Sequence, residues 1–250
     1  KDDRVRCLAI EGLLNMHPPA KDAITALTKA LDDHKDEARM LAALAIHNIG
    51  PDAAAAVPTL LEMIKDPNEF IRHYAVVALD GIGPNAESSV PALIRALNDE
   101  SVPAFRSQAA HALGSIAPRM PEVRKALIEA LESPEKLIRW SSCWALGQMR
   151  LKVATVLQPL VERLGDLEPY VRTGAALALG RFGPDASQAV SALIELLNDP
   201  NPYARTAAAI ALGQIGDEAK ASVPTLVSAL EDRKNSVPNG QSNTSGYVPW

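Results

Sequence analysis

The chain is poor in aromatic residues, in cysteine and in positive charge. Three Trp, four Tyr and three Phe stand against 41 alanines among 250 residues, a composition that favours closely packed helices over sheets. Cys7 and Cys143 lie far apart in the sequence, so neither a disulfide framework nor a zinc site is indicated. The net charge of -5 lacks the strongly basic footprint of a nucleic-acid-binding protein, and no nucleic-acid partner is expected.

Long apolar runs and phosphate-binding loops are also missing from the sequence. The longest apolar runs, such as residues 41–46, fall far short of the roughly 20 residues that a membrane-spanning helix needs, so no membrane span is expected. The glycines occur where helices should end rather than in a Gly-rich phosphate loop, and we predict no cofactor. Because any targeting signal would precede Lys1, the sequence gives no prediction of localisation.

A repeat of about 33 residues runs through the chain. An apolar or small residue followed by arginine recurs every 33 or 34 positions, at Arg6, Arg39, Arg72, Arg106, Arg139, Arg172 and Arg205. An alanine-rich segment with helical spacing follows each arginine, and a helix breaker such as Gly50-Pro51 ends it. A second amphipathic segment comes next, with its apolar residues at i, i+3, i+4 and i+7, as in Val57, Leu60, Leu61 and Ile64. Each period therefore predicts a helical hairpin, and the chain is predicted to be all-α.

The residues around these arginines resemble HEAT repeats. An aspartate precedes four of the arginines by six positions, in the pairs Asp33 and Arg39, Asp66 and Arg72, Asp166 and Arg172, Asp199 and Arg205. The Ala-Leu-Gly-x-Ile-Gly segments, as at 211–216, are similar to the subclass named after phycobilisome lyases. The resemblance implies a right-handed α-solenoid of about seven HEAT-like hairpins. It also implies that these Asp and Arg side chains form a structural ladder along the stack.

The ladder is expected to be irregular in the middle of the chain. Ser133 replaces the aspartate six positions before Arg139, and Asp99 lies seven positions rather than six before Arg106. We divide the chain into residues 1–232, a solenoid of six complete hairpins with a half repeat at each end, and residues 233–250, a flexible C-terminal tail rich in Asn, Ser, Gly and Pro. A half repeat exposes an apolar face, so we expect the natural protein to extend upstream of Lys1.

Candidate binding residues lie at positions of the arginine-bearing helices that the core does not use. By the resemblance, these helices line the concave side of the solenoid. Six of the ten aromatic residues occupy such positions, and exposed aromatic side chains dominate the hot spots of interfaces. The predicted partner-binding set is Phe70, His73, Tyr74, Gln108, His111, Trp140, Trp144, Gln148, Tyr170, Arg181 and Tyr203. The alternative for Trp140 and Trp144 is that the indoles fill gaps between layers.

No constellation of residues predicts catalysis or metal binding. His73 and His111 lie about one turn out of register on adjacent helices, without a carboxylate at a third ligand position. None of the five histidines is followed by Glu, as the HEAT-type di-iron hydroxylases require. No His and acid flank Cys7 to lower the pKa of its thiol. The chain is therefore predicted not to be an enzyme.

Three hypotheses for function follow from these observations. The first is a non-catalytic module that binds a protein or peptide, or acts as a scaffold, through its concave face, with Trp140 and Trp144 as anchors; a small-molecule ligand is not expected. The second, which the subclass resemblance implies, is a bilin lyase-like chromophore-handling subunit. The third is a structural subunit of a larger assembly.

Overall fold

The computed structural model describes residues 2–99, 102–149 and 154–231, and in these residues helices alternate between two parallel rows. No strand occurs in this part of the chain, so the predicted all-α solenoid is confirmed. The odd-numbered helices carry the repeated arginines and the even-numbered helices are their partners. They are α1 (Asp3–Leu14), α2 (Ile24–Ala30), α3 (Asp36–Ile49), α4 (Val57–Met63), α5 (Glu69–Ile82), α6 (Val90–Leu97), α7 (Pro103–Ile116), α8 (Pro121–Ala130), α9 (Lys136–Gln148), α10 (Ala154–Arg163), α11 (Pro169–Arg181), α12 (Val190–Leu196), α13 (Pro202–Ile215) and α14 (Val223–Glu231).

Glycine ends most of the arginine-bearing helices. Gly50 has a φ of 75°, a conformation that glycine adopts without steric cost, and it begins a 3-10 segment that leads into the partner helix. The same turn occurs at Gly50–Ala56, Gly83–Ser89, Gly183–Ala189 and Gly216–Ser222. Ala117 takes the place of this glycine after α7, and α8 begins there at Pro121 without a 3-10 segment. The fourth layer therefore departs from the regular turn.

One stretch of the chain is apolar enough to cross a membrane by length and composition alone. It is Asp36–Met63, in which the most apolar window has a mean hydropathy of 1.3. The turn at Gly50 divides this stretch into α3 and α4, and half of the window is buried inside the fold. A helix of 14 residues such as α3 is about 21 Å long, which is shorter than the roughly 30 Å hydrocarbon core of a bilayer. The hydropathy of this stretch therefore reflects core packing.

Alanine and glycine let successive arginine-bearing helices approach one another closely. A methyl group added to Gly147 would lie 2.8 Å from Cα of Ala178, and one added to Gly114 would lie 2.7 Å from Cβ of Ala145. Contacts between successive partner helices are sparse by comparison. The layers are therefore closest on the side of the arginine-bearing helices.

The first and last helices expose residues that inner layers bury. Val5 of α1 is 60% exposed, whereas Ile71, at the equivalent position of α5, is fully buried. Leu230 of α14 is 86% exposed, against 5% for Leu197 at the equivalent position after α12. Along the described residues, α1 is followed by six pairs of a partner helix and an arginine-bearing helix, and α14 is the last partner helix. The predicted tail, residues 233–250, lies outside the described residues.

Candidate binding surface on the arginine-bearing helices

An ion-pair ladder fixes the arginine-bearing helices to one another. Nε and Nη2 of Arg139 donate to both carboxylate oxygens of Asp166, 27 residues later, at 2.8 Å each. Arg172 makes the same two-pronged contact with Asp199 at 2.6 and 2.8 Å. Nη1 of Arg172 donates at 2.8 Å to the main-chain carbonyl of Asp166, which lies six residues earlier in its own repeat. Each arginine thus holds its own loop through a carbonyl and the next layer through a carboxylate.

The aspartates of the ladder also shape the loops between helices. Asp166 accepts a bond from the backbone N–H of Glu168 at 2.9 Å, and Asp199 accepts one from Asn201 at 2.7 Å. Burial alone would raise the pKa of Asp166, but the bonds from Arg139 and Glu168 outweigh it, and the pKa lies below its ordinary value. At the other end of the stack, the Arg6 guanidinium lowers the pKa of Asp33 to about 2.

The sequence pattern found only part of this ladder. Arg6 and Arg139 belong to it, yet neither has an aspartate six residues earlier, and the predicted set omitted them. The signal for both is the spacing of 27 residues to the aspartate of the next repeat, as in the pair Arg39 and Asp66.

The predicted irregularity of the ladder is confirmed at Arg106. Nε of Arg106 donates to the carbonyl of Leu97 at 2.9 Å, and Nη1 lies 3.3 Å from a carboxylate oxygen of Glu135. Ser133, which stands where an aspartate would be, donates to Glu135 at 2.6 Å and orients that carboxylate. The bond to Ser133 also lowers the pKa of Glu135. A serine and a glutamate together therefore replace the aspartate at this layer.

Four positions on each arginine-bearing helix form the surface that we call the groove face: two before, one after, five after and nine after the arginine. These positions are separated by three or four residues, so they follow one side of a helix. The first of them lies near the helix N-termini and carries a large exposed apolar side chain on four of the helices, whereas α1, α3 and α7 carry Arg4, Glu37 and Ala104 there. The four side chains and their exposed fractions are Phe70, 60%; Leu137, 50%; Tyr170, 51%; and Tyr203, 55%.

The middle of the groove face carries a stack of rings across two layers. His111 of α7 lies flat on Trp144 of α9, with ring centroids 3.4 Å apart and an angle of 15° between the planes. The guanidinium of Arg181 on α11 lies over the same indole, 5.8 Å from the ring centroid. Burial lowers the pKa of His111; the charge of Asp80 opposes this shift and the charge of Arg181 adds to it. His111 is therefore held in its neutral form.

Trp140 and Trp144 are half-buried rather than fully exposed. A methyl group added to Gly174 would lie 3.0 Å from Cδ1 of Trp140, so this indole rests on the next helix where a glycine leaves room. Both indoles pack against the core. The alternative that the indoles fill gaps between layers therefore holds in part, and each ring keeps one side on the groove face.

Burial shifts the pKa values of His73, Cys7 and Cys143 in the direction that favours their neutral forms. His73 is half-buried, burial lowers its pKa, and its ring meets that of Tyr74 edge-on at 5.6 Å. Within residues 2–99, 102–149 and 154–231, no three His, Cys, Asp or Glu side chains come together as a metal site. Burial raises the pKa of the Cys7 thiol, and raises that of Cys143 to about 12.

Comparison with known families agrees with this geometry. A family model described as HEAT repeats matches residues 1–80, 57–123, 90–167 and 157–240. The chain belongs to the HEAT-repeat family. None of the curated proteins matches this HEAT-repeat chain.

Solved structures similar to this HEAT solenoid share little sequence identity with it. The complex of CpcE and CpcF of phycocyanin lyase from Nostoc sp. PCC7120 is 22% identical with a TM-score of 0.55, over 92% of this chain and 90% of that chain. A designed armadillo repeat protein in complex with the peptide (KR)4 is 18% identical with a TM-score of 0.56, over 77% and 99%. An engineered protein is 22% identical with a TM-score of 0.56, over 92% and 69%. At these identities the likeness shows the fold alone.

The predicted partner-binding residues all lie on arginine-bearing helices of the HEAT solenoid. Phe70, Gln148, Tyr170 and Tyr203 are exposed; His73, Tyr74, Gln108, His111, Trp140, Trp144 and Arg181 are half-buried. The prediction omitted three aliphatic residues of the groove face, Leu137, Leu177 and Ile210, which are 50%, 37% and 45% exposed. Leucine and isoleucine are the residue types of the core, so only their register in the repeat distinguishes them.

Proposed function

We propose that this HEAT solenoid is a non-catalytic module that binds a protein or peptide along its groove face. The observation that carries the proposal is the continuous row of exposed apolar side chains at Leu137, Tyr170 and Tyr203. Monomeric proteins rarely expose contiguous apolar surface without a binding role, and tyrosine supplies a large contact area at small entropic cost. Trp144, which is half-buried in the middle of the groove face, would add a further aromatic contact beside this row.

The test is capture of partners from a lysate of the source cells, with retained proteins identified by mass spectrometry. The variant Tyr170→Ala/Tyr203→Ala removes two exposed rings without opening a core cavity, so circular dichroism should show unchanged helix content. Leu167→Ala/Leu230→Ala is the matched control, because these two side chains are 95% and 86% exposed and lie off the groove face. We expect proteins that the wild type and the control retain and that the tyrosine variant loses. Identical captures from all three forms would contradict the proposal.

A bilin lyase-like role is the second candidate function. It rests on the likeness of the Ala-Leu-Gly-x-Ile-Gly segments to the repeats named after phycobilisome lyases, and part of the support for that subclass is the fold shared with CpcE and CpcF. Trp140 and Trp144 would then contact a tetrapyrrole. Incubation with a bilin at micromolar concentration separates the two candidates. A shifted visible spectrum that Trp144→Ala abolishes would favour this role, and an unchanged spectrum is what peptide binding predicts.

A further inference from the structure

The row of Leu137, Tyr170 and Tyr203 presents uncharged side chains on three successive arginine-bearing helices. All three occupy the same repeat position on α9, α11 and α13, and each is at least half exposed. The charges beside the row compensate each other, since Nζ of Lys136 lies 3.4 Å from a carboxylate oxygen of Glu168. The row therefore offers apolar and phenolic contact surface whose neighbouring charges are already paired.

A cavity of about 400 Å³ lies beside Leu137, at one end of this row. Its apolar lining is Pro103, Pro134 and Leu137. The charged residues that line it are paired within the protein: Glu135 with Arg106 at 3.3 Å, Lys136 with Glu168 at 3.4 Å and Arg139 with Asp166 at 2.8 Å. A charged group that entered the cavity would lose its hydration without finding an available opposite charge. Charge complementarity therefore favours an uncharged side chain at this place.

The members of the row follow one another at the spacing of the layers. Methyl groups added to Gly147 and Gly180 would lie 2.8 and 2.9 Å from Cα of Ala178 and Ala211, so α9, α11 and α13 are closely packed, and packed helices lie about 8 to 10 Å apart. A polyproline II helix repeats after three residues, or about 9.3 Å. A β-strand repeats a face about every 6.7 Å, and an α-helix repeats one over two turns, about 10.5 Å. Of the three, the polyproline II repeat falls within the layer spacing.

We infer that this row and the cavity beside Leu137 bind a proline-rich segment in the polyproline II conformation, with an uncharged side chain facing the solenoid at every third position. Two layer spacings amount to about 16 to 20 Å, so about seven residues extend from Leu137 to Tyr203. The inference rests on the proposed function and names the chemistry of the partner.

Proline-rich chains suit this surface for two further reasons. The pyrrolidine ring fixes φ, so such a segment loses little conformational entropy on binding. A polyproline II backbone makes no internal hydrogen bonds, and its carbonyls can accept bonds from the phenol groups of Tyr170 and Tyr203 while the rings contact proline.

A display library of random nonapeptides, selected on the full chain, tests the chemistry of the partner. We expect enriched peptides to carry proline at two of every three positions and an uncharged aliphatic or aromatic residue at the third. The defined probe is a peptide of three Leu-Pro-Pro triplets. Three Leu-Gly-Gly triplets keep the spacing without proline, and the probe reordered with its leucines adjacent keeps the composition without the spacing.

The three peptides are titrated against wild type, Tyr170→Ala/Tyr203→Ala and the control Leu167→Ala/Leu230→Ala. We expect the probe to bind wild type at least about tenfold more tightly than either comparison peptide. The tyrosine substitutions should weaken its binding at least about tenfold, and the control should bind it as wild type does. Added salt should change this affinity less than about twofold, because the contact pairs no charges.

The remaining outcomes separate this inference from the proposed function. Enriched peptides without the three-residue proline pattern, equal affinity for the probe and its reordered form, or binding that salt abolishes overturn the inference and leave the proposed function. Lysate partners that the tyrosine variant loses, but no enriched nonapeptide, overturn the inference alone. No enriched nonapeptide together with identical lysate captures from all three forms overturns both.

Discussion

At the scale of single residues, the ladder differs from most surface ion pairs because one carboxylate accepts hydrogen bonds both from an arginine and from a backbone N–H. Asp166 is 5% exposed, receives two bonds from Arg139, and bonds to the backbone N–H of Glu168. Exposed ion pairs contribute about 0–1 kcal/mol, whereas removal of one partner of a buried pair costs about 3–5 kcal/mol. The stability of the solenoid should therefore depend strongly on some carboxylates and weakly on others.

Asp166→Asn should lower the free energy of unfolding by about 3 kcal/mol, because Arg139 keeps its charge in a half-buried site without a carboxylate. Glu135→Gln is the comparison, since Glu135 is 34% exposed and lies 3.3 Å from Arg106; we expect a loss below about 1 kcal/mol. Urea unfolding followed by circular dichroism measures both. Equal losses from the two substitutions would show that burial of the ladder does not determine its contribution.

The ring stack on the groove face predicts a pH response. Burial against Trp144 lowers the pKa of His111, so the folded state prefers the neutral imidazole, and the stability that this provides decreases as the pH falls below 6.5. Trp144→Ala should expose the ring to water and raise its titration midpoint towards 6.5. NMR titration of the His111 ring protons, assigned by their loss in His111→Gln, measures the midpoint. An unchanged midpoint would assign the shift to a cause other than the indole.

At the scale of secondary-structure elements, the close approach of neighbouring helices depends on glycines eight positions after the arginine. Gly147 meets the backbone of Ala178, as a methyl group there would lie 2.8 Å from its Cα. Gly213 lies at the equivalent position of α13, and a methyl group added there would have no heavy atom of residues 2–99, 102–149 or 154–231 within 4 Å apart from its own backbone surroundings. These two glycines are thus equivalent in sequence and opposite in packing.

Gly147→Ala should destabilise the chain by about 1–3 kcal/mol, because α9 and α11 must separate to admit a methyl group. Gly213→Ala should instead stabilise it by about 0.5–1 kcal/mol, since alanine has the higher helix propensity and nothing obstructs its side chain. Thermal and urea unfolding of the two variants test the opposite signs. If both substitutions changed the free energy of unfolding in the same direction, the close approach of α9 to α11 would not determine the effect of Gly147→Ala.

The elements themselves were largely predictable from the sequence, and the contacts between layers were not. Arginines spaced by 33 or 34 residues and breakers such as Gly50-Pro51 predicted one helical hairpin in each period, and each of the seven arginines lies in a helix of the structure. The pairing of Arg139 with Asp166 was missed, because a pattern within one repeat does not show which neighbour a long side chain reaches. The stacking of His111 on Trp144 was also missed: both residues lie five positions after an arginine on successive helices, but the repeat position alone does not show that the two rings meet face to face.

At the scale of the whole molecule, each layer of a solenoid is stabilised chiefly by its two neighbours. Leu197 and Leu230 occupy the same position of successive repeats, yet the first is 5% exposed and the second 86%. The difference is the arginine-bearing helix α13, which covers Leu197.

Leu197→Ala should lower the free energy of unfolding by about 2–5 kcal/mol, because it removes a leucine side chain from a packed interior. Leu230→Ala should change it by less than about 0.5 kcal/mol, as expected for an exposed position. Urea midpoints of the full chain measure both effects. A comparable loss at Leu230 would show that this side chain is covered in solution.

The unequal packing of the two rows has a mechanical consequence. When an elongated body bends, one line along it keeps its length, while the parts on either side of that line are stretched or compressed. The arginine-bearing helices, clamped by the ladder and by contacts such as Gly147 against Ala178, lie near that line, whereas the sparsely touching partner helices have room to spread or close. When the solenoid flexes, we therefore expect the distances between Leu137, Tyr170 and Tyr203 to stay constant.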